Sequence, residues 1–217
     1  MVRLEDYIAT ATGKLPGRFG NAPPWTIAAQ AGLIVRELLS ALPEGDYEIE
    51  GDVAVHRSAL VDKTAVLKGP IIIGSGAFVG PAALLRGGVW LDETCSVGPG
   101  CEIKSAFLFA GARIAHFNFV GESLIGADAN VEAGAIIANR RNERSGGVMV
   151  RIDGALMDTG CGTFGAVVGD GCRIGANAVL APGTLLRRST VVERLALVDQ
   201  ERAGDEHPAD VKGCRKG

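Results

Sequence analysis

An aliphatic residue recurs at every sixth position over a long stretch of the chain, and this period constrains the fold more than any other feature. The residues at these positions are Val61, Leu67, Ile73, Val79, Leu85, Leu91, Val97 and Ile103. The pattern returns in a new phase over 125–137 and again over 168–186. Six residues is neither the period of a helix nor the alternation of an ordinary strand. The chain is therefore a repeat protein.

A six-residue period suits a short strand followed by a tight corner. Three such units close one triangular coil, and coils stack at the strand spacing of about 4.8 Å. Corners need small residues, which explains 31 glycines among 217 residues, and a narrow interior explains an aromatic content of only 5%. Cys95, Cys101 and Cys172 fall at the second inward position of their units, so we expect small core residues there rather than metal ligands or disulfides.

The composition excludes several classes of protein. Hydrophobic residues make up 47% of the chain, too much for a disordered protein. No apolar run reaches the ~18 residues of a membrane span, and a net charge of −3 gives no basic footprint for nucleic acid. The first residues include Glu5 and Asp6 and lack the apolar centre of a secretory signal. We therefore expect a cytoplasmic protein that binds neither nucleic acid nor membrane.

Three segments depart from the regular repeat. An amphipathic helix is predicted over about 24–42, packed on the first coil or on a neighbouring subunit, after a loosely ordered stretch at 1–22. An excursion at 140–165 interrupts the coils and is predicted to form a hairpin around 148–152 and 155–157. The resulting boundaries are 1–50 for the N-terminal segment, 51–190 for the coils and 191–217 for a charged tail.

Breaks in the repeat are where a functional site is expected. The largest break lies between Ala115 and Ile125, which are ten residues apart, and it contains His116, the only histidine inside the coils. Four of the seven phenylalanines lie nearby: Phe107, Phe109, Phe117 and Phe119. An imidazole suits proton transfer near neutral pH, but a lone histidine also serves as a structural hydrogen-bonding group, so both roles stay open.

Arg86 and Lys104 form a second candidate. Each directly follows an inward aliphatic residue, and they stand one full coil apart in the repeat, so their side chains should stack outward on adjacent coils. Like charges opposite each other repel unless an anion lies between them. The pair therefore indicates either a phosphate clamp or a solvated face.

The chain resembles a known family through the segments EIKSAFLFAGARI and AHFNFVGESLIGADANVEAGAIIANRRN. They resemble the acetyltransferase domain of glucosamine-1-phosphate acetyltransferase/N-acetylglucosamine-1-phosphate uridyltransferase. The chain is more similar still to the carboxy-terminal domain of archaeal-type sugar-1-phosphate nucleotidylyltransferases, through 158–160 and 164–170. The resemblance covers roughly 23–190 and implies an all-β fold, a left-handed parallel β-helix of hexapeptide repeats. No Gly-rich nucleotidyltransferase loop occurs, so nucleotidyl transfer is not expected.

The resemblance also implies a site and a co-substrate. It places the general base at His116, and Glu102 is a second catalytic candidate that could orient a nearby group or the substrate ammonium. The residues implied to bind the sugar-phosphate acceptor are Arg86, Lys104, Asn130 and Phe119. The residues implied to contact acetyl-CoA are Asn139, Ala133 and Arg140. The family implies a homotrimer with the site between subunits, and no metal.

Some residues depart from the family's pattern, and these changes bear on the acceptor more than on the reaction. Phe119 and Arg140 each stand where a tyrosine is usual, Glu132 replaces a glycine, and Arg113 is assigned to a normally small inward position. The repeats after Leu186 are shorter than in the bifunctional enzymes. Further arginines that could meet the CoA phosphates are Arg141, Arg187 and Arg188.

Two functions from different classes follow from these observations. The first is an acetyl-CoA-dependent N-acetyltransferase acting on an amino-sugar phosphate or a nucleotide-linked amino sugar; an acyl-carrier-protein-dependent relative is the variant of this hypothesis. The second is a non-catalytic trimeric scaffold or sensor that binds sugar phosphates or sugar nucleotides. A carbonic anhydrase on the same architecture is disfavoured, because its zinc needs three convergent imidazoles and only His116 is placed for one.

Overall fold

The computed structural model describes residues 2–43 and 45–202, and it confirms the predicted all-β parallel β-helix. Within these residues one sheet has seven strands and a second has thirteen. The part of the predicted tail beyond Arg202, including His207 and Cys214, lies outside the described residues. None of the described helices is long and apolar enough to cross a bilayer.

The coils present three faces. Face 1 is the seven-stranded parallel sheet, with strands Leu60–Val61, Phe78–Val79, Ser96–Val97, Arg113–Ile114, Asn130–Val131, Arg173–Ile174 and Val191–Val192. Faces 2 and 3 belong to the larger sheet, because Leu84–Leu91 and Glu102–Leu108 run across the corner between them. The other face 2 strands are Val66–Lys68, Phe119–Gly121, Ile136–Ile137, Val179–Leu180 and Leu197–Val198. The other face 3 strands are Val53–His56, Ile71–Ile73, Leu124–Ile125, Ala166–Val168 and Thr184–Leu186.

Both ends of the β-helix differ from a bare stack of coils. At its start, Tyr47–Glu50 pairs antiparallel with the strand Val53–His56. At its end, Val191–Val192 and Leu197–Val198 continue the parallel pairing on faces 1 and 2. The coils therefore continue to Val198, past the predicted end at residue 190, since Val192 and Val198 fill two further inward positions.

The interior is built from the aliphatic residues of the repeat. Their side chains form one continuous core, in which Cys95, Cys101 and Cys172 are fully buried. Burial raises the pKa of the Cys95 thiol to about 12. The prediction that these cysteines are small core residues is confirmed.

The register shortens at the corner between faces 2 and 3, and it does so in two successive coils. Before the corner, Arg86 pairs with Lys104, so the two strands are one full coil apart in sequence. Beyond the corner, Val89 pairs with Ala106, and the sequence separation between paired residues is shorter by one. The next coil is short by one position as well, since Lys104 pairs with Gly121 and Phe107 with Leu124. Two single-residue contractions, at Ser105 and Glu122, therefore replace the one break expected between Ala115 and Ile125. We call this corner the contracted corner.

The N-terminal segment is a folded cover over face 3. Its helices are Ala11–Lys14, Pro24–Ala29 and Ala31–Ser40, with 3₁₀ turns at Leu4–Asp6 and Gly17–Phe19. The expectation of a loosely ordered 1–22 is wrong for residues 2–22, because their apolar side chains are buried with the helices in a second core. The predicted helix is present as two helices that meet at Gln30.

The cover lies on an apolar column that the repeat alone does not explain. The outward residues of face 3 that form this column are Ile72, Trp90, Phe107, Leu124, Val167 and Leu185. The last helix sits mainly on the strand 84–91 and also contacts the strands 71–73 and 102–108. A Cβ at Gly88 would overlap the Gly32 backbone nitrogen, so only glycine permits this approach.

The excursion at 140–165 contains the predicted hairpin. Met149–Ile152 pairs antiparallel with Ala155–Asp158. The excursion leaves and rejoins the coils at the contracted corner, where the Phe164 amide donates to the Asn139 carbonyl. Its buried Val148 and Val150 extend the cover over face 3, and Phe164 meets the Trp25 ring edge-on at 6.1 Å.

Candidate functional site at a corner of the β-helix

His116 lies at the corner between faces 1 and 2, three residues after Arg113 and three before Phe119. Its ring is exposed and has no hydrogen-bond partner among the described residues. Phe117 follows it with φ of +52° and is 71% exposed, with its ring over Gly100. The structure therefore presents an exposed imidazole, without a hydrogen-bond partner among the described residues, at a corner of the prism.

Ala133 stacks on His116 in the next coil. The register that pairs Arg113 with Asn130 also aligns these two residues, and the Gly134 amide donates to the His116 carbonyl at 2.9 Å. The Ala133 carbonyl accepts from Asn177, but its own N–H has no acceptor among the residues that the structure describes. An unpaired backbone N–H therefore lies about 4.8 Å, one strand spacing, from the histidine position.

Arg86 and Lys104 stack on face 2 as predicted, but each is neutralised by a carboxylate of the chain. Arg86 forms an ion pair with Glu102, at 2.6 Å between Nη2 and Oε1. Lys104 Nζ lies 2.5 Å from Glu122 Oε1. The anions that the stacked cations require are thus supplied in part by the protein itself, and the four side chains together are neutral.

Glu122 is the residue that sequence reasoning missed. Its side chain is 9% exposed, it adopts φ of +37°, and it bonds both Lys104 and the Asn139 amide. Its buried, paired carboxylate sets Glu122 apart, because the positive φ also occurs at Ser105, the equivalent corner residue one coil earlier. The available signal was its place at the second contraction of the repeat, two residues before Leu124.

Several predicted site residues meet around Gly121. Phe119 pairs in register with Glu102, and Gly121 pairs with Lys104. A Cβ at Gly121 would lie 2.8 Å from both Phe119 and Asn139, so these two side chains converge there. The predicted residues that the structure brings together on face 2 are Arg86, Glu102, Lys104, Phe119 and Asn139.

Other predicted residues lie elsewhere. Asn130 points out of face 1, on the far side of the His116 corner. Arg140 is exposed at the start of the excursion. Phe107 and Phe109 lie under the cover with Trp90, so the expected cluster of four phenylalanines around His116 is wrong.

Three arginine assignments also need correction. Arg113 is exposed on face 1 rather than inward, because Ile114 takes the inward position. Arg141 is buried in ion pairs with Asp199 and Glu201. Arg188 donates to the Tyr7 carbonyl and pairs with Asp170. Arg141 and Arg188 therefore hold the fold together, which leaves Arg140 and Arg187 of the four arginines considered for CoA.

The fold matches the hexapeptide-repeat, left-handed β-helix acetyltransferases that the sequence resembles. Residues 67–150 match the family described as the GMPPB C-terminal domain. A bifunctional protein GlmU from Methanococcus maripaludis is 38% identical over 82% of this chain and 44% of its own length. A bifunctional sugar-1-phosphate nucleotidylyltransferase/acetyltransferase from Sulfurisphaera tokodaii is 35% identical over 38% of this chain and 20% of its own length. The chain thus spans less than half the length of these relatives, and the predicted resemblance is confirmed.

Solved structures of acetyltransferases are also similar to this chain, at low identity and low TM-score. One is the acetyltransferase domain of PglB from Neisseria gonorrhoeae in complex with acetyl coenzyme A, 18% identical with a TM-score of 0.39, covering 67% of this chain and 56% of that one. Another is a mutant GDP-perosamine N-acetyl transferase from Caulobacter crescentus with CoA and GDP-perosamine, 18% identical with a TM-score of 0.23, covering 75% and 57%.

Proposed function

We propose that this protein is a cytoplasmic, acetyl-CoA-dependent N-acetyltransferase whose acceptor is an amino-sugar phosphate or a nucleotide-linked amino sugar. The observation that carries the proposal is the pairing of the free His116 ring with the unpaired Ala133 N–H one coil away. A base and an oxyanion donor side by side are what acyl transfer requires. The relative named as a bifunctional sugar-1-phosphate nucleotidylyltransferase/acetyltransferase supports acetyl transfer and a sugar-phosphate acceptor.

His116 acts as the general base in this mechanism. The acceptor nitrogen attacks the thioester carbon and gives up its proton to the imidazole as the C–N bond forms. The carbonyl oxygen becomes an oxyanion, which the Ala133 N–H stabilises. The C–S bond then breaks, and the CoA thiolate leaves and takes the proton from the imidazolium. The products are the N-acetylated sugar and CoA thiol.

Face 2 supplies the acceptor contacts in this proposal. Arg86 and Lys104 contribute positive charge for a phosphate, and Glu102 contributes negative charge for an ammonium. A neutral site with separated charges of both signs complements a substrate that carries an amine and a phosphate. Phe119 packs beside these groups, with the ring in place of the hydroxyl that a tyrosine would offer.

Acetyl-CoA fits the remaining groups of the corner. Asn139, beside Glu122, and Arg140, exposed at the start of the excursion, lie on the side of face 2 where the donor would run. We further propose a homotrimer, because Asn130 points away from face 2 and only a second copy could bring such a residue to the same cavity. The cover occupies face 3, so contact between copies would bring face 1 of one copy beside face 2 of the next, with the cleft between them open at the His116 corner.

The decisive experiment measures CoA thiol release with a panel of amino-sugar phosphates and nucleotide-linked amino sugars. His116→Ala should reduce the rate about 10²–10⁴-fold, the usual contribution of a general base. His56→Ala is the matched control, since His56 lies at the start of the β-helix and bonds Ser58. Undiminished thiol release in His116→Ala would overturn the assignment of the base.

A non-catalytic scaffold that binds sugar phosphates or sugar nucleotides is the second candidate. It is favoured by the internal engagement of Arg86, Lys104 and Asn139, three predicted ligand-binding side chains that bond carboxylates of the chain. Binding of the same panel, measured by calorimetry, with no thiol release in the presence of acetyl-CoA would establish the scaffold instead.

A further inference from the structure

Face 1 carries a groove of about 750 Å³ near the end of the β-helix, separate from the face 2 cluster. The polar residues of its lining include Arg113, Asp128, Asn130, Glu132, Arg173 and Glu193. Neither His116 nor any face 2 residue contributes to its lining. The groove lies on the other side of the His116 corner from the Arg86–Glu102 and Lys104–Glu122 pairs.

Two arginines stand in one column of this groove, with an asparagine between them. The strand register pairs Arg113 with Asn130 and Asn130 with Arg173. Adjacent coils are about 4.8 Å apart, so the two arginine backbones are separated by about twice that distance, and the Asn130 amide lies midway. Both guanidinium groups are exposed on the same face.

These two arginines differ from the other cations near the site because they are unpaired. Arg113 and Arg173 have no ion pair and no side-chain hydrogen bond within residues 2–43 and 45–202. By contrast, Arg86 and Lys104 are each neutralised by a carboxylate. Guanidinium groups that the protein leaves without an anion are available to an anionic ligand.

The acidic residues of the lining do not occupy these arginines. Glu132 bonds both Arg194 and the Ala176 amide, and hydrogen bonding by Arg194 holds the pKa of its carboxyl below its usual range. Asp128 turns toward Gly111, where a Cβ would clash with its carboxylate oxygen. Glu193 is exposed and lies within 4 Å of no cation among the described residues.

We propose that the Arg113–Asn130–Arg173 column binds a diphosphate group. Each guanidinium can hold one phosphate in a bidentate manner, and the amide of Asn130 can donate to an oxygen between them. A single phosphate engages one arginine and leaves the other without an anion. The column therefore prefers two linked phosphates to one.

The column also bears on the acceptor, and this part rests on the proposed function. Arg113 precedes His116 by three residues. A diphosphate bound on face 1 therefore lies on the face that adjoins the His116 corner. A nucleotide-linked amino sugar carries a diphosphate, whereas an amino-sugar 1-phosphate does not. The column therefore favours the nucleotide-linked acceptor.

Direct binding tests the site without acetyl-CoA or turnover. Pyrophosphate, UDP and inorganic phosphate are titrated by calorimetry at one fixed ionic strength into the full chain and into Arg113→Gln and Arg173→Gln. We expect pyrophosphate and UDP to bind at least tenfold more tightly than phosphate, and each variant to lose at least tenfold in affinity for them. Arg57→Gln, an exposed arginine near the start of the β-helix, should leave binding unchanged.

The possible outcomes separate the site from the reaction. Pyrophosphate binding that is absent, equal to phosphate binding, or insensitive to both groove variants overturns the column. A loss in Arg57→Gln as large as in the groove variants also overturns it, since binding would then follow net charge alone. Tight, column-dependent binding with no thiol release would uphold the diphosphate site while the proposed reaction fails.

Discussion

Face 3 and the edge between faces 1 and 2 are built from the same six-residue repeat, yet their outward positions are opposite in character. On face 3 the outward column is apolar and aromatic and lies under the N-terminal helices. At the His116 corner the outward positions are charged or exposed, including Phe117 at 71% exposure. The inward positions make both faces fold alike, and the outward positions alone decide which is covered and which is open to a ligand.

The comparison also separates two meanings of an unusual residue. Phenylalanines are rare in this chain, and they depart from the repeat on both faces. Phe107 and Phe109 are fully buried against Trp90, where they attach the cover. Phe117 and Phe119 lie by the open edge. Aromatic residues that lie close together in sequence therefore serve either packing or the candidate site, and only their burial distinguishes the two roles.

The largest predicted effect compares a Phe→Ala substitution under the cover with one at the open edge. Phe107→Ala should reduce the free energy of unfolding by about 3–5 kcal/mol, because it leaves a cavity in the core under the cover. Phe117→Ala should change it by less than about 0.5 kcal/mol, as expected of an exposed side chain. Urea unfolding at fixed pH measures both. Equal losses in the two variants would contradict the division into covered and open faces.

The second prediction concerns the open side. Glu122→Gln keeps the shape of a buried side chain but removes its charge, so Lys104 loses its anion. We expect a loss of about 1–3 kcal/mol in unfolding free energy together with tighter binding of inorganic phosphate, since Lys104 becomes available. Urea unfolding and calorimetry measure the two changes.

The control for this prediction is Glu132→Gln, which breaks the more exposed pair with Arg194. It should reduce the free energy of unfolding by less than Glu122→Gln does, because solvent screens an exposed ion pair. If Glu122→Gln weakens phosphate binding instead, Glu122 serves to position Lys104 and does not compete with the ligand.

The smallest predicted effect concerns the ion pair between Arg141 of the excursion and Asp199 of the last coil. Hydrogen bonding by Arg141 holds the pKa of Asp199 below its usual range. A carboxyl whose pKa is depressed by folding stabilises the protein above its unfolded pKa, about 3.9, and loses this contribution as pH falls through the folded value. The urea concentration at the unfolding midpoint should therefore decrease as the pH is lowered below about 4. The decrease should be smaller in Asp199→Asn.

Phe107→Ala at each pH is the matched comparison for the apolar part of the cover. Its deficit relative to the natural protein should not depend on pH, because no charge is involved. If Asp199→Asn lost as much stability in acid as the natural protein, the Arg141–Asp199 ion pair would not be the cause of the acid sensitivity.

Much of the fold was predictable from the sequence because the inward positions repeat. The period places Val79, Val97 and Ile103 in the core without knowledge of any distant contact, and the three core cysteines follow from the same register. The hairpin of the excursion was predictable because it pairs residues close in sequence. His116 was singled out by the break expected between Ala115 and Ile125, but the structure places the contractions at Ser105 and Glu122 instead.

The remaining features could not be predicted because they depend on residues far apart in the chain. The cover packs residues 2–42 on face 3, and an ion pair joins Arg141 to Asp199. The ion pairs of Arg86 and Lys104 depend on contacts between coils and, for Lys104, on the contraction at Glu122. A sequence pattern identifies which residues carry charge, but it does not show which charges neutralise one another.

By itself, the sequence determined the β-helix and its core, since a six-residue period acts through neighbours one coil apart. Only the tertiary structure decided which face is covered, which cations are already paired, and which arginines remain without an anion. Those outcomes depend on burial and on distances between side chains, and the free energies of charge pairing and apolar burial are defined only once the coils are stacked and the cover is in place.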